Sequence, residues 1–181
     1  MRSAACLTIG VLLALPSVPL GAAPPTLKAR AEAFKPFLPS PPKGWSIVEE
    51  ETIGQDSAMT GSELTTRRRY KKGAKVEEVV EIQIGVKPDG KPLWPAVLID
   101  DPAKAAKDLV EGVPFSVAEV LGQKALTRST RNPMRDRAEH RVIHKLPNNV
   151  SVSYEIWTLP ITDAEQFRKA IDYKKLGALK P

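Results

Sequence analysis

The sequence predicts an α+β fold: a mostly antiparallel, twisted sheet built from hairpins, with an N-terminal, a middle and a C-terminal helix packed on it. Three observations carry that prediction. Residues 75–86, KVEEVVEIQIGV, place Val76, Glu78, Val80, Ile82, Ile84 and Val86 on one side of an extended backbone and Glu81 and Gln83 on the other. That is the period-two pattern of a strand with one face in the core and one in water. Residues 137–158 read as two strands around Pro147-Asn148-Asn149, where Asn tolerates the left-handed conformation a hairpin demands. Around these, Leu27, Ala31, Phe34 and Leu38, and again Ala164, Phe167 and Ile171, recur at helical spacing.

The chain opens with Arg2, an apolar run from Ala4 to Leu15, Pro16, Pro19, and the small residues Gly21-Ala22-Ala23. These predict a secretory signal peptide over residues 1–23, cleaved after Ala23. The run falls short of the roughly 20 apolar residues a spanning helix needs, so no transmembrane segment is expected in the mature chain. Export to the periplasm or beyond makes nucleic acid an unsuitable partner. Cys6, the single cysteine, lies inside the apolar run, so the mature chain must hold together by its core, without disulfides. The net charge of +6 falls by one when Arg2 is removed. A positive excess of this size serves solubility and also suits an anionic surface or an acidic envelope protein. Residues 24–44 read as an N-terminal helix and Pro-rich connector, and 45–181 as a single α+β domain.

In chain order, Pro36 stops the first helix and LPSPPKG runs extended to Gly44. Residues 45–51 predict a strand with Trp45, Ile47 and Glu49 on one side, followed by a loop over 52–62. Residues 64–70 form the next strand, turning through Lys71–Ala74 so that Tyr70 meets Lys75, Arg68 meets Glu77 and Arg67 meets Glu78. The basic run RRRYKKGAK then reads as a partly self-neutralised hairpin. Lys87-Pro88-Asp89-Gly90 has turn chemistry. Asp101 as N-cap with Pro102 behind it starts a helix expected to reach Glu111, bury Ala106, Leu109 and Val110, and end at Gly112. Strands over 115–121 and 124–130 flank Gly122. Thr162 and Glu165 form a capping box before the last helix, whose apolar contacts continue through Tyr173, Leu176 and Leu179.

The candidate contact for an anion or an acidic partner is the polar stretch 128–137, read as a loop carrying Arg128, Arg131 and Arg135 and closed by Arg137. It lacks the glycine-rich backbone and helix start of a specific anion cradle. His140 and His144 have H-x-x-x-H spacing, which brings two rings together on a helix. On a strand they stand roughly 13 Å apart and cannot share one ion. Trp45, Trp94 and Trp157 read as core or rim residues. With no G-x-S-x-G, no metal-spaced set and no phosphate loop, no catalytic, metal or cofactor residue is assigned. The expectation is an exported, non-enzymatic binding or accessory protein of the cell envelope. Its alternatives are a carrier of a small apolar or amphipathic ligand between sheet and helices, and a hydrolytic enzyme whose site is assembled from distant residues. No feature of the pattern sets an oligomeric state.

PSPPKGW at 39–45, RRYKKG at 68–73, GQKAL at 122–126 and AIDYKKL at 170–176, taken in that order, resemble landmarks of a group of small exported bacterial proteins of unknown function. The resemblance implies export and a single domain and names no site. The order of elements is also similar to that of Mog1/PsbP-like domains, a likeness of fold that supplies no function.

Overall fold

The computed structural model describes residues 25–56, 61–74, 77–110, 113–120, 122–132 and 137–180. The expected signal peptide lies outside them. The elements are α1 (Leu27–Glu32), a 3-10 turn (Lys35–Phe37), β1 (Trp45–Gln55), β2 (Glu63–Lys72), β3 (Val79–Val86), a second 3-10 turn (Ala96–Asp100), α2 (Pro102–Ala105), the short pair β4 (Leu109–Val110) and β5 (Val113–Pro114), β6 (Ser116–Val120), β7 (Gln123–Asn132), β8 (Arg137–Lys145), β9 (Ser151–Trp157), a third 3-10 turn (Ile161–Ala164), α3 (Glu165–Ala170) and α4 (Tyr173–Ala178). Seven strands form one antiparallel sheet in the order β1-β2-β3-β9-β8-β7-β6. This is the α+β architecture the sequence predicts. After β3 the chain crosses to the far edge, and the meander from β6 to β9 returns to the free side of β3.

Alternation along the strands sorts side chains onto two faces. Val80, Ile82, Ile84 and Val86 point inward with Tyr70, Leu64, Val142, Val152, Tyr154 and Ile156, and on them pack Ala31 and Phe34 from the N-terminal segment and Phe167 and Leu176 from α3 and α4. Trp45 meets the Phe167 ring edge-on at 4.9 Å, and Tyr70 lies 4.6 Å from the same ring. The middle segment covers part of the opposite, outer face, where Ala96, Leu98, Ile99, Ala105 and Phe115 bury Leu126 and Ile143 in a second, smaller core. The helices therefore divide between the faces, and the outer face beside β1, β2 and β3 carries none of them.

Several expectations hold in detail. Leu146 accepts no slip against Val150, Val142 faces Tyr154, and the Thr158 amide donates to the Ala138 carbonyl, as a three-residue turn with Asn149 at φ 64° requires. Asp101 caps α2, accepting from the Lys104 amide at 3.0 Å. Others fail for physical reasons. Tyr70 pairs with Val80 rather than Lys75, and Arg69 with Glu81, because β2 runs on to Lys72, whose amide donates to the Glu78 carbonyl at 2.9 Å. The register change by an odd number of residues brings Arg67 and Arg69, in place of Arg68, onto the side of Glu81, so Glu81, expected in water, is only 6% exposed beneath them. Residues 52–55, expected as loop, extend β1, and a bulge at Val48 separates Glu49 from the side that carries Trp45 and Ile47. The middle helix stops at Ala105 with Ala106 exposed, since Val110 and Val113 pair as β4 and β5 instead. Thr162 and Glu165 make no capping box: α3 follows the 3-10 turn without a side-chain cap, and a break at Ile171 starts α4 behind Asp172.

Gly54 holds β1 against α1, and a Cβ there would sit 2.4 Å from backbone atoms of Leu27 and Lys28. Gly54→Ala should lower unfolding free energy by about 1–3 kcal/mol, read from the urea midpoint. Gly177→Ala in α4, where a Cβ meets nothing within 4 Å, should leave the midpoint unchanged or raise it.

Candidate functional site

The uncovered part of the outer face is built from rows of side chains that cross β2, β3, β9 and β8. One row runs Arg69, Glu81, Glu155, Arg141, and the next Lys71, Val79, Trp157, Glu139. Glu81 is its anchor. Arg69 donates to it through Nε at 2.9 Å and approaches through Nη2 at 2.7 Å, while Arg67 Nη1 stands 3.7 Å away. The bulge at Val48 turns Glu49 and Glu51 onto this face, where Glu49 pairs with both Arg67 and Arg69 and Glu51 with Arg67. A buried carboxylate is tolerated only where such partners replace its water. On the inner face Lys35 and then Arg68 hold the Glu50 carboxyl below the ordinary carboxylate range, against the opposing effect of burial.

Trp157 stands at the centre of the next row with two guanidiniums over its ring, Arg69 at 5.1 Å and Arg137 at 4.3 Å. One comes from each side of β9. This cation-π stacking fixes both forks and leaves an open groove of about 560 Å³ lined by Val48, Arg69, Lys71, Glu77, Val79, Arg137 and Trp157. Arg137 gives its Nε to Glu139 at 2.8 Å. Lys71 has no ion pair among the described residues, and Val48 is 52% exposed. The groove thus offers cationic donors around an indole with an apolar edge. That arrangement can seat a carboxylate next to an apolar side chain.

The sequence-predicted arginines do not form one clamp. Residues 128–132 belong to β7 and are not loop. Strand alternation sends Arg128 to the outer face, over the Phe115 ring at 5.2 Å, and Arg131, exposed, to the inner side opposite Ala138. Arg137, 9% exposed, opens β8 on the outer face, and Arg135 lies outside the described residues. The structure therefore brings Arg128 and Arg137 to the same face as Trp157 and separates Arg131 from them. Sequence reasoning missed Arg69, Lys71 and Trp157 as neighbours. The available signal was the i, i+2 repetition of Glu49 and Glu51 and of Arg67 and Arg69, which places like charges on one strand face.

The histidines lie on the inner side of β8 in different surroundings. His140 Nδ1 is 2.8 Å from Ser129 Oγ. His144, 1% exposed, sits edge-on to Tyr154 and Tyr173 at 6.1 and 6.3 Å. Neither of its ring nitrogens has a hydrogen bond; the Lys124 backbone lies near enough to favour a proton without reaching bonding geometry, and burial together with Arg168 pushes the imidazole pKa down. The Tyr154 and Tyr173 hydroxyls bond each other, and Tyr70 donates to the Pro39 carbonyl at 2.6 Å. Burial pushes Tyr70 and Tyr173 up to about 12, and Tyr154 rises as well, so the phenols stay protonated. The inner cluster is closed packing. Among the described residues no three His, Cys, Asp or Glu side chains converge on a metal position, and no helix is long and apolar enough to cross a membrane. No family model, curated protein or solved structure matches the chain.

Two outcomes follow from these environments. Glu81→Gln removes the charge that Arg67 and Arg69 share and should cost about 2–3 kcal/mol in urea unfolding, less than a fully dry pair because the arginines are partly solvated. His144 has a folded pKa below its ordinary value of 6.5, so the unfolded chain takes up the proton first. Its contribution is complete above about pH 6.5 and is lost as pH falls toward the folded pKa, with a slope of at most about 1.4 kcal/mol per pH unit. His144→Leu should flatten that acid limb in urea titrations run from neutral pH downward.

Proposed function

We propose that this chain is an exported, non-enzymatic binding or accessory protein of the cell envelope, and that it works through the uncovered outer face of its sheet against an acidic partner. The observation that carries the reading is Trp157 held under Arg69 and Arg137 in an open groove with Lys71. Stacking pays the ordering cost of the guanidinium in advance, so a partner carboxylate meets donors already in place. Exposed Val48 supplies the apolar contact beside them. Export rests on the Arg2-to-Ala23 pattern. The carrier alternative gains no support from the inner face, where Phe34, Tyr70, Phe167 and Leu176 at 0% exposure fill the space between helices and sheet.

A photo-crosslinker placed at Val48 in cells should capture an envelope protein through an acidic segment, and one at Lys174 on α4 should not. The adduct should fall at least about tenfold in the double variant Lys71→Glu, Arg137→Glu, and the purified chain should begin at Pro24. Equal adducts from both positions, or yields untouched by the charge reversals, would remove the outer face from the proposal.

A further inference from the structure

The Trp157 groove selects for more than negative charge, because the arginines nearest it are already engaged. Arg67 and Arg69 are shared among Glu49, Glu51 and Glu81, and Arg141 approaches Glu155 at 3.2 Å. Two donors remain on the groove itself. Lys71, half-buried on its lining, has neither an ion pair nor a hydrogen bond among the described residues. Arg137 gives Nε to Glu139 at 2.8 Å, while its terminal nitrogens have no partner among the described residues and remain accessible in the groove. Against these donors stands Glu77, exposed on the same lining and without an ion pair among the described residues. A run of acids would find no further donors and would meet Glu77, so the site is built for a single carboxylate.

The place of that carboxylate relative to the apolar surface narrows the ligand further. The Arg137 guanidinium carbon lies 4.3 Å from the centre of the Trp157 ring, so an oxygen bonded to its terminal nitrogens sits beside the indole. Val48, 52% exposed, extends the apolar side of the groove and Val79 lies at its floor. The ligand that satisfies both parts has its carboxylate and its apolar group on neighbouring atoms. An internal Asp or Glu in an extended peptide does not: the next residue points to the opposite face, and the one after it stands roughly 7 Å away. The last residue of a chain does, since its α-carboxylate and its side chain leave the same carbon. A groove of about 560 Å³ has the size of a drug-like ligand's pocket, which leaves space for the residues just before the terminus.

We propose that the groove captures the free C-terminus of a partner polypeptide whose last residue is apolar. This rests on the reading of the outer face as the binding surface and names the segment that surface receives. The α-carboxylate lies between Lys71 Nζ and the terminal nitrogens of Arg137, and the final side chain lies against Trp157 and Val48. Titration of the purified protein with the peptide acetyl-Gly-Gly-Ser-Leu tests it, followed through the Trp157 indole NMR resonance with those of Trp45 and Trp94 as internal references. Three comparison ligands separate the sources of charge: the same peptide as its C-terminal amide, the internal-acid peptide acetyl-Gly-Asp-Leu-Gly amide, and hexanoate. The free-acid peptide should shift Trp157 saturably, and each of the other three should bind more weakly by about tenfold or more. Lys71→Met should weaken the free-acid peptide by about the same factor. Lys71 has no partner to lose among the described residues, so the variant should keep a dispersed spectrum. No saturable Trp157 shift at millimolar peptide would overturn terminal capture, as would unchanged affinity in Lys71→Met or equal binding of the amide or of hexanoate. Equal or tighter binding of the internal-acid peptide would also overturn it while leaving the outer face as an acid-binding surface, on which the crosslink at Val48 reports separately.

Discussion

A carboxylate withdrawn from water in the middle of a sheet face has to be answered by fixed cations, and Glu81 imposes that condition here. Because the alternate residues Val80, Ile82, Ile84 and Val86 are committed to the inner core, β3 holds Glu81 on the outer side, where only neighbouring side chains can cover it. Its neighbour must then present Arg67 and Arg69 on the outer side, which selects the β2–β3 register. Those two arginines in turn need acids from β1, yet β1 also has to send Trp45 inward against Phe167. One extra residue at Val48 resolves the conflict by changing the parity of the strand between Ile47 and Glu49.

The balance of the two faces follows from that arrangement. The inner face is apolar and closed by helices from both ends of the described chain. The outer face is shared between a small apolar core under the middle segment and a lattice of paired charges. Several arginines of the basic run are thus engaged within the molecule, on Glu49, Glu51 and Glu81, and Arg141 on Glu155. What faces outward is shaped by how those pairs stack on Trp157, and only weakly by net charge.

Elements whose signal is local could be read from sequence. The turn at Pro147–Asn149 carries its own conformational demand and sets the β8–β9 register with it, and the stripes of Ala31, Phe34 and Leu38 and of Ala164, Phe167 and Ile171 are intact in the core. The β2–β3 register was not legible, since Lys75 and Val76 continue the alternation of the strand and only Glu78, a charge on the apolar side, interrupts it before pairing begins at Val79. β7 was cut short for a related reason. Its outer residues belong to a polar lattice, so Arg128 and Thr130 alternate with Ser129 and Arg131 without any apolar contrast. The Trp157 groove joins side chains of β1, β2, β3, β8 and β9. Only the strand order β3-β9-β8 makes them neighbours.

The extra residue at Val48 has a further effect on the margin of the sheet. β1 is an eleven-residue edge, long enough to template stacking by another chain through its unpaired amides and carbonyls. Near one end α1 lies against Gly54; near the other, the kink puts the donor and acceptor spacing out of step. The interval between them carries Glu49, Glu50 and Glu51, so a second copy arriving in line would meet acid against acid, and the margin guards itself against growth into fibres.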